Sequence, residues 1–538
     1  MRQARLPLRS SGSEGAWTQL VADTCYPRQD HNQNNPRVGC GPDQRTDRRV
    51  SSIPTGSGRA DRDQHPDLRC PAGAAWGFPS GGTRCGGRRK RGLQATFAQA
   101  IIDDIRNFLG QATGGLIDLE AIETAARARA LGIAATVVAQ FINSDTTDHV
   151  GPLMPCPNCG EMAHYVGRRK KAIMTTMGSV SLARAYYNCP GCGHGLFPRD
   201  QALGLGDSSL SPLLVRSIGT VASMVSFQES SELLGELAGL TIDAKQVERT
   251  AEALGNEIAG YERTVVDKGI PQAGTLYLGL DGTGIPMRAE ELEGRAGKQP
   301  DGSAKTREVK LVTVWSAEKK NEEGIPVRDK GSVTYSAAIE SAAERDTDPD
   351  PSDFARRVER EASRRGFDAA ARTVIIGDGA KWIWNIADTY YPDAIQIVDL
   401  YHAKGSVSEA AKAIFGSTNE MGKGWAKERR DDLEAGRIDV VLAALGRHVS
   451  TCKEARNCRD YIERNRRRMD YPAFRSQGLC TSSGVVEAGC KLAIGTRLKR
   501  AGMHWTVAGA DSIIALRCCR LSGQFEDFWE WLSAERAA

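Results

Sequence analysis

Hydrophobic periodicity divides the chain into a stretch without pattern, a helical stretch, and a stretch where strands alternate with helices. Residues 1–92 show neither the helical nor the strand repeat, and Gly, Pro, Ser, Arg, Asn and Asp dominate them. So little apolar surface cannot offset the entropy of ordering, which predicts a disordered basic tail. Arg88-Arg-Lys-Arg91 closes it. An arm for DNA phosphates and an overlong gene start are the alternatives. Over 93–150 two helices are predicted. One follows the N-cap Thr96 through Phe97, Ile101, Ile102, Ile105, Phe108 and Leu109; the other is Ala-rich and runs from near Leu116 to Asn143.

Within 151–205 the pattern changes to alternation: Val180, Leu182, Ala183 and Tyr186/Tyr187 mark a hairpin strand across Thr175–Asn188. Residues 206–270 return to helical spacing. Ser231–Leu237, a turn at Gly239, and Asp243–Ile258 have the order of a helix-turn-helix, with Thr241 or Asp243 as N-cap. Lys245, Gln246 and Arg249 fall on its outward face, suited to DNA, although any two helices joined by a glycine turn share this pattern.

From 271 to 402 the predicted order is three strands, a helix, a strand, a helix and a strand. The strands are Leu276–Leu280, Glu308–Ser316, Ser332–Ile339, Thr373–Ile376 and Ala394–Val398; the helices are Asp353–Arg365 and Ala380–Thr389. That is the order of an RNase H-like α/β fold, in which the first strand is central and the fourth lies beside it. Residues 403–480 are helical and highly charged, which predicts an α-helical insertion before C-terminal helices at 481–538.

Composition adds three constraints. Net charge is +4 over 538 residues, but residues 1–95 carry 16 Arg and Lys against 8 Asp and Glu. The remaining chain is therefore net acidic, and affinity for nucleic acid must come from local clusters. Mean hydropathy is −0.40; no apolar run of about 18 residues stands out, so no membrane span is expected. Four of the 14 cysteines form Cys156-Pro-Asn-Cys159 and Cys189-Pro-Gly-Cys192, separated by 29 residues. Two such knuckles joined by β structure predict a zinc ribbon, with one structural Zn²⁺ on four sulfurs. Arg168-Arg-Lys-Lys171 inside it is either a phosphate contact or a solvated run.

The chemistry concentrates in three acidic motifs: Tyr277-Leu-Gly-Leu-Asp281-Gly, Thr373-Val-Ile-Ile-Gly-Asp378-Gly and Ser483-Gly-Val-Val-Glu487-Ala-Gly. Two strand-end aspartates on neighbouring strands suit a pair of Mg²⁺ (or Mn²⁺) ions. Such ions prefer oxygen ligands and promote phosphodiester cleavage and transfer. By residue type Glu409, Glu420 and Glu428 compete for the third position. Glu487 is preferred because an apolar helical stretch follows it, then the basic and aromatic run Arg497, Lys499, Arg500 and Trp505, suited to phosphates and a base.

Leu278–Pro286, Lys305–Trp315, Gly377-Asp-Gly-Ala380, Val398-Asp-Leu-Tyr-His402 and Glu487–Trp505, with the ribbon's Arg184-Ala-Tyr-Tyr187, together resemble bacterial insertion-sequence transposases of the ISKra group. The resemblance spans about 95–535 and leaves residues 1–92 outside. It implies a DDE transposase with an RNase H-like core and catalytic Asp281, Asp378 and Glu487. Asp399-x-x-His402 is similar to a signature of Mutator-type transposases, which implies a phosphate-positioning or proton-donating His402; a structural histidine is the alternative. Expected partners are the element's terminal inverted repeats and target DNA, held by a homodimer or larger assembly in the bacterial cytoplasm.

Overall fold

The computed structural model describes residues 118–264, 269–271, 273–297, 299, 302–322, 324–341 and 352–537, with scattered helical positions between 99 and 107. Two units separate, Met1–Ile117 and Asp118–Ala538. In the first, Gln99 Nε2 donates to Asp103 Oδ1 at 2.9 Å and Arg106 pairs with Asp103 at 3.3 Å, contacts between neighbouring turns of a helix. The expectations for the tail at 1–92 and for the Thr96 cap lie outside the described residues.

The second unit begins with α1 (Leu119–Ser144), three residues later than predicted, because the Asp118 carboxylate accepts the Glu120 N–H and caps it. Length and composition make α1 long and apolar enough to cross a membrane. That corrects the expectation that no segment qualifies: alanine, valine and isoleucine keep the mean hydropathy high even though Arg127 and Arg129 interrupt the run. One side of α1 is tied to the sheet that follows by Asn143, which donates to Ser181 O and accepts the Ala183 N–H. On the other side Leu119, Ile122, Val137 and Phe141 are exposed.

A four-stranded antiparallel sheet follows, built from β1 (Leu153–Pro155), β2 (Met162–Thr175), β3 (Gly178–Asn188) and β4 (Gly195–Leu196) in sequential order. It buries two small clusters, one of Cys156, Ala163, Ala185, Tyr187, Cys189 and Leu196 and one of Ile173, Leu182 and Leu205. A short α2 (Pro198–Ala202) leads to three helices, α3 (Pro212–Ala222), α4 (Phe227–Ala238) and α5 (Ala244–Thr264). Ser226 caps α4 with a full capping box through Glu229, and Asp243 Oδ1 accepts the Gln246 N–H at the start of α5.

The central element is a mixed five-stranded sheet. Its strands are β5 (Thr275–Pro286), β6 (Thr306–Ser316), β9 (Thr334–Ala338), β10 (Arg372–Gly377) and β11 (Ile395–Val398); the β7 (Lys319–Lys320) and β8 (Pro326–Val327) pair forms a separate ribbon. Across the sheet the order is β11-β10-β5-β6-β9, with β5, β6 and β9 antiparallel in turn and β10 parallel to both β5 and β11. The first strand is therefore central and the fourth adjoins it.

Alternation assigns the two faces. Leu278, Leu280, Val312 and Val314 share one face with Thr334 and Ser336. It meets α6 (Asp353–Arg364), where Arg357 bonds Ser336 and Glu361 bonds Thr334. Opposite are Gly279, Asp281, Leu311, Thr313 and Tyr335. The free edge of β9 is closed by α15 (Val507–Leu521) and the residue after it: Asp511 accepts the Ile339 N–H and Ser522 Oγ accepts the Tyr335 N–H. After α7 (Lys381–Tyr390) and β11 comes an all-helical segment of α8 (Leu400–Phe415), α9 (Glu420–Glu434), α10 (Ile438–Gly446), α11 (Lys453–Asn465) and α12 (Tyr471–Ser476). The chain then returns to the sheet through α13 (Gly484–Gly489), a π-helical turn (Cys490–Gly495) and α14 (Thr496–Leu498), and ends in α16 (Phe525–Ala537).

Candidate active site and metal centre

The four predicted sulfur ligands converge. Each knuckle is closed the same way: Cys156 N–H bonds Glu161 O and Gly160 N–H bonds Cys156 O, just as Cys189 bonds His194 and Gly193 bonds Cys189. Sγ separations are 3.7 Å for Cys156–Cys192 and 3.5 Å for Cys159–Cys189, and all four sulfurs lie within 4.8 Å of one another. Tetrahedral zinc with bonds of about 2.3 Å spaces its sulfurs by roughly 3.8 Å, so the cage fits. Among the described residues no other group of three or more Cys, His, Asp or Glu ligand atoms is this close. The Asn158 side chain and the His194 backbone favour the Cys192 thiolate and pull that thiol down to about 6. At Cys159 the Glu161 backbone favours the thiolate, but the sulfurs of Cys192 and Cys189 outweigh it and push it up to about 12.

The basic run in the ribbon is largely engaged. Arg168 forms a two-pronged pair with Asp148, Arg169 lies 3.7 Å from the Tyr186 ring centroid, and Lys171 pairs with Asp200 at 3.3 Å.

Asp281 lies inside β5, which runs on to Pro286 and so corrects the reading of a strand-end aspartate, whereas Asp378 follows the last residue of β10. Gly377 pairs in register with Leu280, so each aspartate is the next residue on its strand or just beyond it. Burial raises the Asp281 carboxyl above the ordinary range, and the charge of Asp378 pushes the same way. Hydrogen bonds from the Cys490 thiol and the Gly282 N–H, the latter 2.7 Å from Oδ1, oppose that rise. Asp378 Oδ1 accepts the Ala380 N–H at 2.8 Å, which closes its Asp-Gly turn.

Glu487 rides on the helix packed over the Asp281 face. The approach needs glycine on the sheet: a Cβ on Gly279 would lie 2.0 Å from Val486 Cγ2. Cys490, one turn after Glu487, is the residue that meets Asp281. The Glu487 carboxylate itself is exposed and pairs with Lys491 at 2.7 Å. It lines a cavity of about 620 Å³ together with Tyr401, His402, Glu409, Glu454 and Tyr461. Two aspartates are thus brought side by side. The glutamate is brought to the same face but stays outside their immediate cluster.

Asp399, buried at the end of β11, joins these pieces. Its carboxylate accepts the His402 N–H at 2.6 Å, capping α8, and the Ser483 N–H in the segment that leads to Glu487. Its own N–H bonds Gly377 O at 2.8 Å. His402 is exposed and lines the cavity. Asp399 is accordingly a tie between backbones, with both carboxylate oxygens engaged.

The basic candidates divide. Lys245 and Arg249 are exposed on α5, with Lys245 paired to Glu248 at 2.7 Å. Lys499 is exposed and reaches Thr283 Oγ1, on the strand that carries Asp281. Arg500 is committed to Glu229 through both guanidinium nitrogens. Arg497 and Trp505 correct the sequence expectation, because both are interior. Arg497 is fully buried, bonds Ala222 O at 2.9 Å, and lies 4.7 Å from the Phe227 ring and 5.2 Å from the Trp505 ring. Trp505 Nε1 bonds Leu498 O at 3.0 Å. Neither presents a surface to DNA. Arg497→Ala should therefore cost about 2–4 kcal/mol of stability through lost packing, whereas Lys499→Ala should stay within about 0.5 kcal/mol. Denaturant titration of both variants checks this, and equal midpoints would refute the assignment.

Neither a family model nor a curated protein matches the chain. Among solved structures it is similar to a chain of the Drosophila P element transposase strand transfer complex. The match covers 59% of this chain and 80% of that one, at 10% identity and a TM-score of 0.22. A superposition of that quality does not establish a shared fold.

Proposed function

We propose that this chain is a DDE transposase that cleaves DNA at the ends of its own element and joins the freed ends to target DNA. The observation that carries this reading is the pairing of β10 with β5, which sets Asp281, inside β5, beside Asp378, just past the end of β10. The strand order, with the first strand central and the helical segment 403–480 inserted before the glutamate helix, supports an RNase H-like core.

Asp281 and Asp378 would hold magnesium or manganese, with Glu487 completing the set after release from Lys491. Their oxygens suit a hard cation, and the Asp281 carboxyl, raised by burial and further by the charge of Asp378, is one whose ionised form a cation would favour. When bound, two such ions supply an activated oxygen nucleophile and stabilise the leaving oxygen. The chain's own part is placement: the β5–β10 ladder sets Asp281 beside the Asp378 turn, and Lys499 beside Thr283 offers positive charge to a phosphate next to Asp281. Lys245 and Arg249 on α5 are proposed to contact the element ends, and paired ends call for a homodimer or larger assembly. The four-cysteine cluster is proposed to hold structural zinc in a ribbon at 151–205.

The test uses purified full-length protein with Mg²⁺ and a plasmid that carries the gene with its flanking DNA. Nicks or breaks at fixed positions, followed by joining of the 3′-hydroxyl ends to a second plasmid, are expected. Cleavage without joining when pre-cut ends are supplied would reduce the reading to a nuclease. Binding without either would leave a DNA-binding protein.

A further inference from the structure

Tyr461, on helix α11 of the inserted segment, touches the turn that carries the second aspartate. Its hydroxyl donates to the Asp378 carbonyl oxygen at 2.8 Å. The ring lies where residue 379 would otherwise carry a side chain: a Cβ there would be 2.5 Å from Tyr461 Cε2 and 3.0 Å from its hydroxyl oxygen. Gly379 also has φ +94°, a conformation open to glycine and strained for other residues. The Asp378–Gly379 peptide is therefore gripped by a hydroxyl on its carbonyl and by a ring against its glycine. Asn465 Nδ2 donates to Tyr461 O one turn on, and the same ring lines the cavity shared with His402 and Glu487.

We propose that Tyr461 is a positioning residue through which the inserted helical segment aims the Asp378 carboxylate at the metal site. The inference rests on the reading of Asp378 as a metal ligand. Asp378 sits beyond the last ladder bond of β10, where the sheet alone leaves its peptide free to rotate, and its side chain caps only its own turn. The insertion supplies the missing restraint. Partners that orient a metal ligand typically change metal affinity or activity about 10- to 100-fold when removed.

Tyr461→Phe deletes one hydroxyl and keeps the ring against Gly379. Calorimetric titration of the full-length variant with Mn²⁺ alone should show affinity weakened about 10-fold, and the Mg²⁺ needed for half-maximal cleavage should rise about as much. The melting temperature, and binding to a duplex of the DNA flanking the gene, should not change. Unchanged Mn²⁺ affinity in Tyr461→Phe, with Asp378→Asn inactive, would overturn the inference and leave the proposed function standing. Full activity in Asp378→Asn would remove the proposed function itself. A fall in melting temperature that accounts for the whole loss would make Tyr461 merely structural and also overturn the inference. Gly379→Val, which drives a side chain into the ring, should reproduce the weakened Mn²⁺ affinity.

Discussion

Asp281→Asn is expected to abolish strand cleavage, a fall of at least about 10³-fold, while binding to the DNA flanking the gene stays within about 2-fold. Asparagine matches aspartate in size, and its side-chain oxygen can still accept the Gly282 N–H that bonds Asp281 Oδ1 at 2.7 Å. The local fold should therefore survive. What disappears is the negative charge between the Asp378 turn and the Cys490 helix, and with it the ligand for a hard cation. Removing that charge also relieves crowding in a site where burial and Asp378 already raise the Asp281 carboxyl, so the variant should be at least as stable as the parent. Higher thermal stability with lost cleavage is the signature of a group kept for chemistry. Cleavage by purified Asp281→Asn at the parental rate would sink the assignment of the active site.

Zinc removal should produce the largest structural effect. Elemental analysis of purified protein is expected to give one zinc per chain, and Cys189→Ser should lose it together with the ribbon's fold. The β1–β4 sheet buries one cluster of six residues, Cys156 and Cys189 among them, and a second of only Ile173, Leu182 and Leu205. So small a core cannot stabilise the sheet alone, whereas structural zinc contributes apparent binding energies on the order of 10 kcal/mol in isolated fingers. The pH dependence follows from the thiols. Zinc binds thiolates and displaces protons, so affinity falls as pH falls, most steeply once Cys192, held at about 6, is also protonated. Chelator should strip the metal faster at pH 5 than at pH 8. Protein free of zinc with the same melting temperature would show that the sulfur cage is not a metal site.

The five strands of the central sheet were legible as apolar or β-branched runs, although the first, expected over Leu276–Leu280, runs through Asp281-Gly to Pro286 because β6 pairs with it all the way. Thr373–Ile376 became Arg372–Gly377, and Ala394–Val398 became Ile395–Val398. The four-cysteine cluster was legible because the spacing within each Cys-x-x-Cys turn is a local property. Arg497 and Trp505 were misjudged for the opposite reason. A basic and aromatic run has the same composition whether it faces phosphate or folds inward, and here Ala222 O and the Phe227 ring capture Arg497 from 275 and 270 positions away in the chain. Tyr461 carried no signal, since a tyrosine in a charged helix shows nothing of a carbonyl 83 residues earlier.

From the sequence alone came most element types, the four cysteines that cluster, and the strand order that makes the strands of Asp281 and Asp378 neighbours. Periodicity, turn chemistry and ligand spacing act over a few residues, and every element obeys them before it meets another. Only the tertiary structure decided which side chains of a given type stay in solvent and which are consumed inside. It buried Arg497 and Trp505, paired Arg500 with Glu229, spent Asp399 on backbone N–H groups, and placed Tyr461 against the Asp378 turn. Burial and pairing depend on what arrives from distant parts of the chain, and a charge removed from water must find its partner there.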